Sequence, residues 1–328
     1  MEKTTKPFVS PQIQISGLLN VLGVLGGVVS LLGFLGRFHW ALDLFSHFRV
    51  QYIVCLTLLG VAMLVARIWR SAAMVIGLVV INLCVVLPYC IWTQSNGSKQ
   101  IDSPVVRALL INVNTRQGNP ARVQRLVLEM QPDLVVLEEI SEEWMAALPQ
   151  LVATYPHSVV EPREDNFGIG LFSKVPLVDT QVAYVGSEVP TIIATAEFQH
   201  TRIRVVATHP LPPIGGEYSE SRNRQLASLP VHLKSDLPVI LLGDLNTTPW
   251  NFHFQKLLRE SGLRDSSVGR GLQPTWPSNA LVFRIPLDHF LYSAQLQVLS
   301  RSVGPDVGSD HFPLLVEFIT TQPVQSEG

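Results

Sequence analysis

The sequence predicts an α/β domain that follows three transmembrane helices, and two observations lead to this fold class. Three long runs without a charged residue lie within the first 92 of the 328 residues. The remaining sequence alternates short apolar runs, which are typical of buried strands, with segments of helical periodicity. With 47% hydrophobic and only 15% charged residues, the composition excludes an intrinsically disordered chain.

Charge and cysteine content divide the chain at the same place. There are 7 basic and 2 acidic residues up to Lys99, a net charge of +5, and 17 basic and 24 acidic residues from Gln100 onward, a net charge of −7. All three cysteines lie in the first part. The second part therefore has neither a disulfide nor a cysteine-based zinc site.

The three charge-free runs occupy residues 13–36, 50–66 and 71–92 and are 24, 17 and 22 residues long. A helix needs about 20 apolar residues to cross the hydrocarbon core of a bilayer. We therefore interpret residues 1–92 as a membrane anchor with three transmembrane helices. A cleaved signal peptide is the alternative for the first run, but its length and the two later runs disfavour it.

The segment between the first two runs has apolar residues at helical spacing. They would form one face of a helix, which we expect to lie in the bilayer interface. The residues of this face are Phe38, Ala41, Leu42, Phe45 and Phe48.

The orientation of the anchor depends on the distribution of Lys and Arg between the two sides of the membrane. With three spans, the N-terminus shares a side with the short connection that contains Arg67 and Arg70. Each side has four basic residues, but this pair is the densest cluster. We therefore expect a multi-pass protein of the cell membrane whose larger domain is extracytoplasmic.

Residues 93–104 are polar and rich in turn formers, which predicts a linker between the anchor and the second domain. Residues 105–319 are long enough for one large domain, and residues 320–328 are interpreted as a tail.

The second domain begins with a predicted strand-helix-strand unit. Val105 to Val113 is an apolar run that suits a buried strand, Asn119-Pro120 supplies a helix cap and a first-turn proline, and Leu134 to Leu137 is the next strand. Further strands are predicted at Gly168 to Ser173, Ile192 to Phe198, Ile203 to Thr208, Val239 to Leu242, Asp288 to Ser293 and Leu314 to Phe318.

Polar residues cluster at or near the ends of these apolar strands. Each one alone has an ordinary explanation as a turn or cap residue. Strand ends in a layered α/β domain converge on one rim, however, so five such sites together indicate a functional site. They are Asn112, Glu138-Glu139, His209, Asp244 with Asn246, and Asp310-His311.

The order and context of these residues resemble the endonuclease/exonuclease/phosphatase superfamily, which has the DNase I-like fold, over about Val105 to Phe318. The motifs Gly243-Asp244-Leu245-Asn246 and Ser309-Asp310-His311 match without departure. The stretches Asn166-Phe-Gly-Ile-Gly and Thr275-Trp-Pro are similar to membrane-anchored bacterial members with several N-terminal spans. The resemblance implies a four-layer α/β sandwich, in which two packed sheets are flanked by helices.

The resemblance also implies roles for individual residues. Leu137-Glu138-Glu139 stands where the family usually has Leu-Gln-Glu, so Glu139 is the expected metal ligand and Glu138 occupies the Gln position. This departure leaves open which of the two carboxylates binds. Asn112, rather than Asn114, matches the Asn of the first strand, and Asp288 matches the Asp that supports the last His.

The donor types suit a hard divalent cation. An ion held by Glu139, with help from Asp310 or Asn112, would neutralise the charge of a phosphoester, and oxygen ligands favour Mg²⁺ or Mn²⁺ over zinc.

The remaining residues suit proton transfer and charge stabilisation. Asp244, steadied by Asn246, is expected to orient and deprotonate the attacking water. His209 and His311 are expected to face the phosphoryl oxygens or the leaving group, with Asp288 fixing the tautomer of His311.

The expected activity is that of a hydrolase acting on phosphoester bonds. The acidic domain shows no basic face for nucleic acid, whereas tethering brings the site near membrane lipids, so we expect lipid-borne or small phosphoesters as substrates. A metal-dependent nuclease is the main alternative, and a non-catalytic membrane-tethered binding module is the second. The loop after His209, followed by Arg222 and Arg224, is a candidate lid that grips a head group, and an ordinary exposed connection is the alternative.

Overall fold

The computed structural model describes residues 15–91, 104–199 and 201–321. Apart from Pro104, the predicted linker therefore lies outside the described residues, as do residues 13, 14 and 92 of the predicted spans and residues 322–328 of the predicted tail. The α-helices are α1 Ile15–Leu32, α2 Trp40–Leu44, α3 Arg49–Val65, α4 Trp69–Cys90, α5 Pro120–Met130, α6 Glu142–Ala146, α7 Pro149–Thr154, α8 Gly216–Leu233 and α9 Phe252–Ser261. The strands are β1 Val106–Asn112, β2 Leu134–Glu138, β3 His157–Glu161, β4 Ile169–Ser173, β5 Leu177–Ala183, β6 Thr191–Phe198, β7 Thr201–Thr208, β8 Val239–Asp244, β9 Arg264–Asp265, β10 Asp288–Tyr292, β11 Leu296–Val303 and β12 Leu314–Thr320. Two 3₁₀ helices lie at Gly33–Phe38 and Leu281–Phe283.

The strands form two six-stranded sheets, with the orders β11-β12-β1-β2-β4-β3 and β5-β6-β7-β8-β10-β9. Each sheet has one parallel pair at its centre, β1 with β2 and β7 with β8, and antiparallel neighbours elsewhere. The two parallel pairs therefore direct four carboxyl ends of strands toward one rim, and these ends carry the predicted polar residues.

Three apolar layers hold the domain together. Residues from both sheets, such as Leu110, Ala194 and Phe290, interdigitate in the central layer. One outer layer lies under α5 to α7, where Val123 and Trp144 are buried, and the other lies under α8 and α9, where Leu229 and Phe254 are buried. This arrangement of helices, sheet, sheet and helices confirms the predicted four-layer sandwich.

The local signals at the first helix of the domain act as expected. The side chain of Asn119 accepts a hydrogen bond from the backbone N–H of Arg122, and Pro120 occupies the first turn of α5. The helix ends at Met130, and Gln131 adopts a left-handed conformation with φ of 50°. β2 can therefore begin three residues later, at Leu134.

The anchor differs from the expectation of three full-length spans. Two helical stretches, Ile15–Phe38 and Trp69–Cys90, are long and apolar enough to cross a membrane, whereas α3 has only 17 residues and is shorter. It is short because Arg49 begins the helix, and the connection of residues 66–68 reverses the chain toward α4. The described residues thus contain two candidate membrane-spanning helices and one shorter apolar helix packed against them.

The segment between α1 and α3 docks on the α/β domain. Asp43, Ser46 and His47 are buried there, and Asp43 contacts both Arg222 and Asn251. The predicted interfacial face is therefore only partly free. Phe38 is exposed, whereas Ala41, Leu42, Phe45 and Phe48 are partly buried.

Candidate active site

All eight site residues predicted from the sequence meet at the rim where the parallel pairs of the two sheets end. Antiparallel pairing of β10 with β8 sets Asp288 opposite Asp244. Their hydrogen bonds and ion pairs connect them across both sheets. The eight residues are Asn112, Glu139, His209, Asp244, Asn246, Asp288, Asp310 and His311.

The two neighbouring glutamates at the end of β2 have opposite environments. Glu138 is fully buried and accepts a hydrogen bond from the backbone N–H of Asp244, at 3.0 Å to Oε2. Burial raises the pKa of this carboxyl well above its usual range, which favours its neutral form. Glu139 has a left-handed backbone with φ of 62°, which turns the chain out of the sheet, and its side chain lines the cavity described below.

The close approach of Glu138 to β8 depends on Gly243. A Cβ atom at this position would lie 1.9 Å from the carbonyl oxygen of Thr208 and 3.0 Å from Oε1 of Glu138. Only glycine fits between β7 and this carboxyl, which gives a structural reason for the glycine of the Gly-Asp-x-Asn motif.

Two asparagines connect the two partly buried carboxylates of the site, Glu139 and Asp310. Nδ2 of Asn112 donates to Oε1 of Glu139 at 2.9 Å, and Nδ2 of Asn114 donates to Oδ1 of Asp310 at 2.7 Å. The backbone N–H of Asn114 in turn donates to Oδ1 of Asn112. Trp276 donates from Nε1 to the other oxygen of Asp310 at 2.9 Å. Both asparagines considered from the sequence thus belong to the site.

Asp244 lies between the two predicted histidines. Its Oδ2 is 3.6 Å from Nε2 of His209 and 3.5 Å from Nε2 of His311. Nδ1 of His311 lies 2.9 Å from Oδ2 of Asp288, so the predicted supporting pair is present. Nδ1 of His209 is buried and has no hydrogen-bond partner among the described residues.

Asn246 holds the loop after β8 in a left-handed conformation, with φ of 50°. Its backbone N–H donates to Oδ1 of Asp244, and its Nδ2 donates to the carbonyl oxygen of Pro210 and lies 3.3 Å from Nε2 of His209. Asn246 therefore fixes the positions of both the aspartate and the histidine.

The polar groups line a cavity of about 340 Å³ whose other walls are mainly apolar. The segment between α1 and α3 contributes to one wall, and the loop after β7 contributes to another. The polar lining residues from the predicted set are Glu139, His209, Asp244, Asn246, Asp310 and His311, and the apolar ones are Leu44, Phe48, Phe167, Pro212, Pro213, Ile214, Trp276, Ile285 and Leu287.

The residues at the site suit a hard divalent cation. Among residues 15–91, 104–199 and 201–321, no three His, Cys, Asp or Glu side chains form a metal-binding group. Glu139 and Asp310 instead supply two carboxylates, which are linked by hydrogen bonds through Asn112 and Asn114. Mg²⁺ is typically held by one or two carboxylates and keeps several waters, so this sparse oxygen set fits it.

The charges at the rim shift the pKa values of both histidines upward. Burial alone would lower the pKa of His209, but the hydrogen bond to Asp244 and the negative charges of Asp244 and Glu139 raise it to about 9. Burial would likewise lower the pKa of His311, but Asp288 and Asp244 raise it to about 10. The two imidazoles are therefore cationic at neutral pH in the metal-free protein.

These shifts predict a pH dependence of stability. A histidine with a raised pKa stabilises the folded state fully below about 6.5, its unfolded value, and loses this contribution as the pH rises toward about 9 and 10. We expect the thermal unfolding temperature of the detergent-solubilised, chelator-treated protein to decrease as the pH is raised from about 7 to about 10. A His209→Gln/His311→Gln variant should show a flatter profile, and an equal slope in both proteins would contradict the assignment.

The structure corrects the interpretation of Arg222 as part of a lid. Arg222 is fully buried and donates to Asp43 and to the carbonyl oxygen of Asn246, so it does not reach the cavity. Arg224 is exposed and lies 3.9 Å from Glu220. The sequence did not group the apolar wall residues, since they come from four separate segments of the chain and become neighbours only through the fold.

Comparisons with known proteins agree with this architecture. Among curated proteins, none matches the chain significantly. The catalytic domain of human Nocturnin with bound sulfate has a TM-score of 0.56 and 20% sequence identity, covering 67% of this chain and 96% of that chain. D. rerio TDP2 complexed with a single-strand DNA product has a TM-score of 0.55 and 19% identity, covering 66% and 99% of the two chains. Sphingomyelinase C from Streptomyces griseocarneus has a TM-score of 0.50 and 18% identity, covering 66% and 99%.

The sequence itself matches a family model over a continuous stretch. The match runs over residues 109–311, from β1 to the histidine of the Ser-Asp-His motif. It covers more than half of the chain and includes all eight predicted site residues. The chain therefore belongs to the endonuclease/exonuclease/phosphatase family, whose members hydrolyse phosphoester bonds.

Proposed function

We propose that this protein is a membrane-anchored, divalent-metal-dependent phosphoesterase that prefers lipid-borne or small phosphoesters. The observation that carries the proposal is the cavity, in which the charged groups lie next to apolar walls from both the anchor and the α/β domain. A substrate with a phosphoester next to an apolar group would contact both kinds of surface.

The proposed mechanism gives each predicted residue one task. Glu139, Asp310 and Asn112 would hold Mg²⁺ or Mn²⁺, which when bound neutralises charge on the phosphoester. Burial opposes ionisation of Asp244, but the positive charge of His311 and the hydrogen bond with His209 outweigh it and lower its pKa, so the carboxylate is ionised and ready to orient a water and accept its proton.

The two histidines would stabilise charge that develops on the substrate. As imidazolium groups, His209 and His311 can donate hydrogen bonds to phosphoryl oxygens or protonate the leaving oxygen. Asp288 accepts a hydrogen bond from Nδ1 of His311 and thereby directs Nε2 of that ring to the reacting side.

The lengths and exposed apolar side chains of the N-terminal helices support membrane attachment. Two helices have the length and composition of membrane spans. α3 is joined to α4 by a short connection and runs antiparallel beside it, with exposed apolar side chains at Leu58 and Val65. A helix of 17 residues lies at the lower limit for crossing, so we propose that α3 is the third span.

An exposed apolar segment of the α/β domain lies next to the start of α3. Leu281, Val282 and Phe283 are 75%, 73% and 60% exposed. The side chain of Gln51 holds this segment at the anchor, because its Nε2 donates to the carbonyl oxygens of Val282 and Arg284. Contact with a bilayer would cover these side chains and bring the site close to lipid head groups.

The orientation can be tested with reporter fusions. We propose that the N-terminus is cytoplasmic and the α/β domain is outside, because three spans separate them and the connection with Arg67 and Arg70 shares the N-terminal side. A reporter that is active only outside the cytoplasm should be active after Gly328, and one inserted in the connection between α3 and α4 should be silent. The reverse pattern would invert the proposed topology.

A substrate panel tests the proposed preference. At matched Mg²⁺, the detergent-solubilised protein should hydrolyse phospholipid or isoprenoid phosphates in mixed micelles faster than plasmid or single-stranded DNA, and a chelator should abolish turnover. The acidic domain offers DNA no net electrostatic attraction.

The structural likeness to TDP2, whose complex contains a single-strand DNA product, makes a nuclease the second candidate. DNA cleavage without lipid turnover would favour the nuclease, and metal binding without any turnover would favour the binding module.

A further inference from the structure

A buried ion pair connects the anchor to the catalytic loop. Asp43 lies between α1 and α3, and Arg222 lies on the second turn of α8. Oδ2 of Asp43 accepts a hydrogen bond from Nη2 of Arg222, and the two side chains are 1% and 0% exposed. Such burial of two charges is costly unless each is fully hydrogen-bonded.

The hydrogen bonds of both charged groups are satisfied. Nη1 of Arg222 donates to the carbonyl oxygen of Asn246 at 2.9 Å, and its Nε and Nη2 also donate to Oδ1 of Asn223. Oδ1 of Asp43 accepts from Nδ2 of Asn251 at 2.6 Å, and the same Asn251 nitrogen donates to Ser46. Nε2 of His47 lies 4.0 Å from Asp43.

The carbonyl oxygen that Arg222 holds belongs to a strained part of the active-site loop. Asn246 has a left-handed backbone, and its N–H and side chain position Asp244 and His209. On the other side of the loop, Nε2 of His289 lies 2.8 Å from the carbonyl oxygen of Thr247. The carbonyl oxygens of two consecutive residues, Asn246 and Thr247, are thus held by buried side chains. The charge of one of these side chains, Arg222, is neutralised by a carboxylate of the anchor.

We propose that Arg222 and Asp43 are positioning residues for catalysis, so that the segment between α1 and α3 is a working part of the active site. Arg222 fixes the carbonyl oxygen of Asn246, and Asp43 fixes and neutralises the guanidinium. Without this pair, the loop would relax from its left-handed conformation and move Asp244 and His209 from their mutual geometry. Displacements of about 1 Å at such groups can cost on the order of a hundredfold in rate.

The pair must be tested without leaving a buried charge. Removing one partner alone would destabilise the fold, whereas replacing both with uncharged residues of similar volume is often neutral. The double variant Asp43→Asn/Arg222→Met therefore removes the hold on Asn246 and keeps the interior filled. Arg270→Met is a matched control, because Arg270 also donates to two backbone carbonyl oxygens, those of Ser266 and Val298, outside the set of catalytic residues.

The first readout is kinetic and rests on the proposed function. On the best substrate of the panel, the full-length double variant should lose about ten- to a hundredfold in kcat, with KM and the Mg²⁺ requirement nearly unchanged. Arg270→Met should retain wild-type kcat. A folded double variant with wild-type kcat would overturn the proposal, since a merely structural pair would change the unfolding midpoint and leave kcat alone.

The second readout does not require activity. Hydrogen exchange of the full chain in detergent should be faster in peptides that cover residues 243–251 of the double variant, and unchanged there in Arg270→Met. If the wild-type protein hydrolyses no substrate and the double variant still exchanges faster than the wild type, the proposed function is refuted but the loop-holding role of the pair is supported. If the double variant does not fold, Arg222→Lys keeps the charge beside Asp43 but lacks the fork that reaches both acceptors, and unchanged exchange and kcat in that variant would overturn the proposal.

Discussion

Replacement of Glu139 by Gln should nearly abolish metal-dependent hydrolysis. The neutral amide removes the charge that holds a hard cation, and metal ions supply several kcal/mol of charge stabilisation in such reactions, so we expect a loss of kcat on the order of a thousandfold. Calorimetric titration with Mg²⁺ or Mn²⁺ should show weakened binding in the same variant. Activity assays at saturating metal separate the loss of affinity from the loss of turnover.

Glu138→Gln is the matched control for this prediction. The carboxyl of Glu138 is buried, favours its neutral form and accepts a hydrogen bond from the backbone N–H of Asp244. The amide oxygen of Gln can accept the same bond in nearly the same volume, so metal affinity and kcat should change little. Loss of metal binding in Glu138→Gln together with retention in Glu139→Gln would reverse the ligand assignment.

The sequence was informative wherever a strand is buried on both faces. β1, β2, β7 and β8 form the parallel centres of the sheets, and their long apolar runs were interpreted correctly to within a few residues. The strands missed from the sequence are β3, β5, β9 and β11, and each is an edge strand. Edge strands face solvent, so β5, for example, consists mostly of exposed and partly buried residues and has no continuous apolar signal.

The polar site could be predicted because its residues follow those central strands. Asn112, Glu139, His209 and Asp244 lie at the ends of β1, β2, β7 and β8, and the topology brings them together. The apolar walls of the cavity had no such order. Phe48 and Ile214 are far apart in the sequence and line the same cavity only because the anchor docks on the α/β domain.

Buried polar contacts between distant segments were the least predictable feature. Arg222 and Asp43 are 179 residues apart, and either one alone is an ordinary charged residue in the sequence. A composition-based interpretation assigns such residues to the surface, because charged side chains are seldom fully buried. The lid interpretation of Arg222 rested on its position after the loop that follows His209, and only the structure shows that its guanidinium is used inside the protein.

Asp244→Asn should lower kcat by at least about a hundredfold and leave metal affinity nearly intact, because loss of a general base typically costs 10² to 10⁴. Asn keeps the volume and can still accept the backbone hydrogen bond from Asn246 that Oδ1 accepts in the wild type. It cannot accept a proton from water at neutral pH, and so the loss should appear in kcat rather than in Mg²⁺ binding. Asp179→Asn, at an exposed carboxylate of β5, is the control and should retain wild-type kcat.

The same variant should also change the charge state of the two histidines. Asp244 is one of the groups that raise the pKa values of His209 and His311, so both should titrate at lower pH when it is neutral. NMR titration of the histidine ring signals in the metal-free protein measures this directly. A variant with unchanged kcat would exclude Asp244 as the base. A variant with reduced kcat but unchanged histidine pKa values would show that the contacts of Asp244 with the two imidazoles, at 3.5 and 3.6 Å, do not set their protonation. Reduced kcat together with lowered histidine pKa values is the result expected if one carboxylate both accepts the proton from water and keeps the neighbouring imidazoles cationic.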